Sequence, residues 1–264
     1  MFATFILIAG STFDISYVLT IRRGFLDHTY GVPLLALCAF IGWDVRNALG
    51  AYHPWIPMLG AVSGLYVVGH AVIFYQLLVY GPREFPGLSR LAFYAMVTAA
   101  LGFTAFAVPA IDQSLQDTWG IHTAEGTWLA AMTSYPMLLY SRGSTRGLSI
   151  PICLLQLLTI IVASIAFLRY LPTDFDVTVS PLLRFICLGM TAANLIYLAV
   201  LLHVRKANSR DTRASGITPA AVATGSAPTS GKHLRARPGP DGMNTDEATR
   251  SHTPVPRRSR RWPR

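Results

Sequence analysis

The residues from His28 to Asp44, His-Thr-Tyr-Gly-Val-Pro-Leu-Leu-Ala-Leu-Cys-Ala-Phe-Ile-Gly-Trp-Asp, carry a Trp-Asp pair into an apolar segment long enough to cross a bilayer. An ionised carboxylate left in hydrocarbon costs several kcal/mol, so Asp44 must face a protein cavity, be paired, or stay protonated. Each outcome points to a site inside a helical membrane protein. Composition agrees, with 52% hydrophobic and only 13% charged residues, and an ordinary soluble domain is excluded for the first four-fifths of the chain.

Seven spans are expected at 2–20, 31–52, 55–80, 89–111, 118–140, 149–171 and 180–203, each near the ~20 residues that a core ~30 Å thick requires. The fold class is therefore all-α, a seven-transmembrane-helix bundle, multi-pass and integral to the membrane. His70 and Glu125 interrupt the third and fifth spans. A cleavable signal peptide is not expected, because Met1-Phe2-Ala3 has no basic side chain and Ile21-Arg22-Arg23 follows the first apolar run. Arg22, Arg23, Arg83, Arg90, Arg142 and Arg146 fall in alternate loops, whereas Asp112, Asp117, Asp174 and Asp176 fall in the others. That asymmetry puts the amino terminus outside and the carboxyl terminus in the cytoplasm.

Residues 1–206 form the expected membrane domain, and 207–264 an expected disordered, basic cytoplasmic tail rich in Ser, Thr, Ala, Gly, Pro and Arg. From Arg205 onward 13 Lys and Arg stand against 4 acids, which accounts for the whole formal charge of +9. The run from Arg257 to Arg264 suits anionic headgroups of membrane lipid, and a solvated extension without a role is the plain alternative. No nucleic-acid partner is implied, since no folded module presents these charges. Cys38, Cys153 and Cys187 match no metal or redox spacing and read as small core residues.

An internal echo links Tyr17 to Arg23-Gly24 and Pro33 with Tyr135 to Arg142-Gly143 and Pro151. It suggests two three-helix repeats joined by a linker helix, a 3+1+3 order with the site between the repeats. Positive-inside bias alone generates part of that likeness.

Within the spans the polar inventory is Asp14, Asp44, Arg46, Asn47, His70, Glu125, Gln156 and Asn194. Asn and Gln in membrane helices usually bond a neighbour, whereas intramembrane acids point to function. Asp44 and Asp14 lead, with Asp14 near mid-depth and Glu125 ~10 Å below the outer surface at ~1.5 Å per residue. Arg46 lies two residues from Asp44 and points elsewhere, so each needs another partner. Trp43, Tyr66, Trp119, Trp128, Tyr17 and Tyr197 offer π faces for a cation, although Trp and Tyr also gather at membrane interfaces.

The segment Ile21-Arg-Arg-Gly24, Asp27-His-Thr-Tyr-Gly-Val-Pro33 and on to Trp43-Asp44 resembles the transmembrane terpene cyclases of fungal meroterpenoid and indole-diterpene pathways, a family with bacterial relatives acting on prenylated indoles. Tyr80-Gly81, the loop from Arg142 to Ser149, and Asn194-Leu-Ile-Tyr197 extend the likeness over most of the first 203 residues. The resemblance implies seven helices and proton-initiated cyclisation of a prenylated aromatic or polyprenyl substrate, or of its terminal epoxide, with no metal or other cofactor. A carboxylic acid protonates the terminal alkene or epoxide, and a base removes the last proton. A prenyltransferase and an epoxidase of the same pathway are the implied partners.

The family typically has Trp-Glu where Trp43-Asp44 stands, Asn at Phe40, Asp at Asn194, and an acid in span three where His70 stands. Asp44 is then the shorter catalytic acid, and Asp14 or Glu125 fills the second role. Trp43, Tyr17, His70, Tyr66, Trp128, Asn194 and Tyr197 are the expected substrate contacts. Two alternatives stay open. The repeats with Pro33 and Pro151 also resemble PQ-loop and sugar-efflux transporters, although Met137 follows Pro136 where Gln is required. The lost acids also suit a non-catalytic relative in a biosynthetic complex.

Overall fold

The computed structural model describes residues 1–52, 59–176 and 178–214. Their regular structure is helical, with no strand among the described residues, and they belong to a compact unit, Met1–Pro219. The helices are α1 (Phe2–Asp27), α2 (Leu34–Ala48), α3 (Leu59–Tyr80), α4 (Arg90–Leu115), α5 (Ile121–Arg142), α6 (Ile150–Ile165), α7 (Leu171–Phe175) and α8 (Pro181–Ala214). A π-helical turn, Ala166–Tyr170, joins α6 to α7, so seven rods result.

Local chemistry sets the ends. Left-handed residues His28, Gln116 and Gly143 close α1, α4 and α5, each handing backbone N–H groups back to the last carbonyls. Ser89 and Ser149 accept from Ala92 N and Ile152 N and open α4 and α6, the role for which short hydroxyl side chains are favoured. Pro33 starts α2 by fixing its own φ, and Gly50, at φ +76°, lies just beyond its end.

Five segments are long and apolar enough to cross a membrane: Phe2–Asp27, Gly60–Arg83, Arg90–Leu115, Ile150–Phe175 and Pro181–Asn208. The remaining two rods differ from expectation. Residues 31–52 contain only the 15-residue α2, about 22 Å long at 1.5 Å per residue, because Pro33 and the turn at Gly50 trim the apolar run. The α5 segment has the length, but His122, Thr123, Glu125 and Thr127 reduce its apolar character. The start of the expected third span and the tail from residue 215 onward lie outside the described residues. Helix α8 itself continues past residue 206 to Ala214.

The principal packing forms a ring: α1 lies on α6, α6 on α8, α8 on α5, α5 on α2, α2 on α3, and α3 on α1. Helix α4 stands outside it against α2 and α5. Many large apolar side chains point outward, such as Leu7, Val18, Leu65, Phe106 and Leu188, which suits a bundle solvated by lipid. Cys38, Cys153 and Cys187 are buried and unbridged.

One end of the ring is closed by Arg142. Its Nε donates to Glu84 Oε2 at 2.7 Å, its Nη2 to Tyr30 O at 2.9 Å and its Nη1 to Arg146 O at 3.1 Å, with the guanidinium 4.4 Å from the centre of the Tyr30 ring. Thr29 Oγ1 donates to the other Glu84 oxygen. Arg146 Nη2 donates to Asp27 O at 2.8 Å, and Asp27 Oδ2 accepts from Gly147 N at 2.8 Å and pairs with Arg23. Gly147, at φ +74°, also lies so close to Thr29 that a Cβ would approach its methyl to 2.7 Å.

Arg142 and Glu84 are largely buried, at 5% and 12% side-chain exposure, so removing one partner strands the other. We expect Arg142→Ala to cost about 3–5 kcal/mol, seen as a lower melting temperature of the detergent-solubilised protein. Arg142→Lys should recover only part of it, because Lys lacks the planar fork that reaches Glu84 and Tyr30 together. A wild-type melting temperature in Arg142→Ala would show that these loops are held by other contacts.

Candidate functional site

Three helices carry polar and aromatic side chains one turn apart on a single face, Phe40 and Asp44 on α2, Tyr66 and His70 on α3, and Glu125 and Trp128 on α5, and α1 adds Asp14 one turn after Gly10. Residues three or four apart share a helix face, and in the bundle these faces meet. They line a cavity of about 270 Å³, completed by Trp43, Ser63, Thr159 and Phe167 among others. Phe167 comes from the π-helical turn, a distortion that often marks functional positions in helices.

The walls are aromatic. The Phe13 ring lies 4.9 Å from Trp128 and 5.1 Å from Tyr66, and Phe40 lies 5.5 Å from Trp128 and 5.6 Å from His70. Asp44 is 4% exposed and His70 1%. Asp44 Oδ2 stands 3.4 Å from His70 Nδ1, outside hydrogen-bond geometry, and Asp44 Oδ1 has no partner. Glu125 is buried on the same cavity, whereas Asp14 lines it from an exposed position on α1. Among the described residues no three His, Cys, Asp or Glu side chains are grouped to hold a metal ion.

Next to the cavity, Trp43 Nε1 donates to Gly120 O at 3.0 Å and its indole stacks on Tyr52 at 5.7 Å. Tyr52 donates to Asp112 Oδ2 at 2.5 Å, and Arg46 Nη2 lies 3.1 Å from the same oxygen. Arg46 therefore finds its partner on α4. Thr123 Oγ1 is shared between Asp112 Oδ1 at 2.6 Å and Asp117 Oδ2 at 2.9 Å. Asp117 also accepts from Ile121 N and Thr123 N and lies 3.2 Å from His122 Nδ1, while His122 Nε2 is 2.7 Å from Ser180 Oγ. Burial alone would push the Asp117 carboxyl up, but the bonds from His122 and Thr123 outweigh it and hold Asp117 below the usual carboxylate range. Burial, then the Asp112 carboxylate, pushes the Tyr52 phenol up.

Of the residues expected from sequence, the cavity brings together Asp14, Trp43, Asp44, Tyr66, His70, Glu125 and Trp128. Tyr17 sits one layer behind, edge-on to His70 at 5.1 Å, and lines an adjoining hollow with Asp14 and Tyr66. Asn194 and Tyr197 are not among the cavity-lining residues. They face the interior of the α5, α6 and α8 contact, where Asn194 donates to Met132 Sδ at 3.0 Å and accepts from Cys153 Sγ at 3.7 Å, and Tyr197 stacks on Tyr135 at 4.7 Å. The structure thus does not bring Asp14 and Asn194 to one site, despite their matched spacing to Tyr17 and Tyr197. Phe13 and Phe40 are walls that the sequence reading did not select, and their positions one turn from Tyr17 and Asp44 were the available signal. Asp174 accepts from Phe2 N at 2.9 Å and pairs with the amino terminus.

Residues 1–207 match the family described as Pyr4-like transmembrane terpene cyclases. Terpene cyclase macJ of Penicillium terrestre is 26% identical over 217 residues, covering 76% of this chain and 81% of that protein. Terpene cyclase penB of Penicillium crustosum is 29% identical over 192 residues, and ptmB of Penicillium ochrochloron 28% over 192, each covering 67% of this chain and 75% of the relative. No solved structure matches the chain.

The depressed Asp117 carboxyl gives a signed prediction. Such a group contributes stability above its unfolded-state pKa of ~3.9 and loses it as pH falls through the lower folded-state value. Asp117→Asn should therefore lower the melting temperature at neutral pH by the equivalent of about 2 kcal/mol. The gap to wild type should close on acidification below about pH 4. A gap independent of pH would show that the hydrogen-bond geometry, and not the charge, is what Asp117 supplies.

Proposed function

The chain belongs to the Pyr4-like transmembrane terpene cyclases, and from that membership we propose that it cyclises a prenylated aromatic or polyprenyl substrate, or its terminal epoxide, by proton-initiated carbocation chemistry. Family and long apolar helices together make it an integral membrane protein. The observation that carries the proposal is the aromatic-walled cavity between the helices, with Asp14, Asp44 and Glu125 on its walls.

In this reading Asp44 is the acid. Its free Oδ1 delivers a proton to the terminal alkene carbon or the epoxide oxygen, and the positive charge then moves along the folded prenyl chain. Phe13, Phe40, Tyr66 and Trp128 stabilise that charge with π faces that form no covalent bond to it. The Asp14 and Glu125 carboxyl groups add oxygen dipoles on the other walls. A volume of about 270 Å³, just below the ~300 Å³ at which small-molecule sites begin, suits the reacting isoprene units, with the rest of the substrate at the mouth.

Seven membrane crossings in a 3+1+3 order, with the amino terminus outside, complete the proposal. The packing ring supports it: exchanging α1, α2 and α3 with α5, α6 and α8 leaves the order of neighbours unchanged, with α4 as linker. The arginine-rich alternate loops support the orientation.

Membranes containing the full chain, supplied with farnesylated and geranylgeranylated aromatics and their terminal epoxides, provide the test. Asp44→Asn should reduce cyclised product by about 10²- to 10⁴-fold at unchanged protein level, and Asp44→Glu should retain or raise activity. Turnover retained in Asp44→Asn would remove Asp44 from the mechanism.

A further inference from the structure

Proton-initiated cyclisation has two ends, since the group that gives a proton must be matched by one that takes a proton from the last cation. Inside hydrocarbon the second end is constrained by charge. After Asp44 has donated, a carboxylate remains in the cavity, and once the cation is quenched it is left without a counter-charge. A base that cannot pass its proton back leaves that ionised group buried, at a cost of several kcal/mol.

His70 is placed to take the proton and return it. It comes from α3, lines the cavity, and is held edge-on by Tyr17 at 5.1 Å and against Phe40 at 5.6 Å. Its Nδ1 faces Asp44 Oδ2 at 3.4 Å, and neither ring nitrogen, nor Asp44 Oδ1, makes a well-aligned hydrogen bond, with the Tyr66 backbone near the ring and the Ser63 side chain near the carboxyl. Buried polar atoms are normally satisfied, and two unsatisfied groups side by side on a cavity wall are a costly choice for a scaffold. They are what a proton carrier needs, a vacant lone pair and a neighbour to hand the proton to. Asp14 and Glu125 also line the cavity, but among the described residues His70 is the titratable group paired with Asp44.

We propose that His70 is the terminal base of the cyclisation and the group that resets Asp44, an assignment that rests on the cyclase reading above. Asp44 gives its proton to the substrate, forming a C–H or O–H bond and leaving a carboxylate. The final cation loses a C–H proton to His70 Nδ1, and the electrons of that bond become the product alkene. The imidazolium then passes the proton from Nδ1 to Asp44 Oδ2, leaving the ring in its original tautomer, and a half-turn of the carboxyl group brings the O–H back to the side facing the substrate. Substrate and product are isomers, no co-reactant is consumed, and the Asp44–His70 pair carries no net charge at the start or the end of the cycle.

The test compares variants of the full-length protein in membranes with the same prenylated aromatics and epoxides. Under single-turnover conditions His70→Asn should consume substrate within about tenfold of wild type, while steady-state turnover falls about 10²-fold or more. Its products should shift to other alkene isomers and water-captured alcohols. Imidazole added to His70→Ala should restore the wild-type isomer, and this arm carries the test if His70→Asn does not fold. A wild-type product ratio and rate in His70→Asn, or in His70→Ala without imidazole, would overturn the assignment. So would loss of single-turnover consumption in folded His70→Asn, which would place His70 at initiation. Wild-type membranes that consume none of these substrates would instead overturn the cyclase reading itself, and the assignment with it.

Discussion

The cost of facing an ionisable side chain to hydrocarbon organises this bundle. Asp44, Glu125 and His70 could not lie on the outer surfaces of α2, α5 and α3 without it, and all three turn inward to one cavity. The outer surface is left to Leu7, Val18, Leu65, Phe106 and Leu188. A ring of six helices, with a seventh outside, provides an interior into which such groups can point. Grouping them solves a solvation problem and in the same step assembles acids, a potential base and aromatic faces around one small volume.

Two arginines tie the helices together outside that volume by different routes. Arg142 on α5 binds Glu84 and the Tyr30 carbonyl, tying together the loops after α1, α3 and α5. Arg46 on α2 meets Asp112 on α4, and through Tyr52 and Thr123 that contact reaches Asp117 and the start of α5. Trp43 is anchored in the second network by its bond to Gly120 O, which fixes the residue next to Asp44 from outside the cavity. The cavity thus depends on contacts made outside its own lining, by Arg142, Arg46 and Asp112.

Much of this was legible in the sequence because it follows from local rules. Apolar runs gave the number of rods, and acids inside them gave Asp44, Asp14 and Glu125. Spacings of four and three let Tyr66 share a helix face with His70 and Glu125 with Trp128, a local rule the structure follows. What was not legible depends on how helices rotate against one another. Cys187, Met190, Asn194, Tyr197 and Leu201 form one buried stripe on α8, and only packing decides that it faces α5 and α6 away from the cavity. The pairs Arg142–Glu84 and Arg46–Asp112 join residues far apart in the chain, and nothing in local pattern specifies them. The length of α2 was overstated because Pro33 and Gly50 trim the helix without interrupting its hydrophobicity.

The central claim is that a prenyl chain reacts inside the ring, against Asp44. An experimental structure of the protein with a non-cyclisable prenylated aromatic tests it most directly. The account predicts the chain terminus about 3.5 Å from Asp44, the separation of a near-attack geometry, with Phe40 and Trp128 beside it. A prenyl chain bound on the lipid-facing surface or beyond the Arg46–Asp112 contact, with the cavity unoccupied, would contradict it.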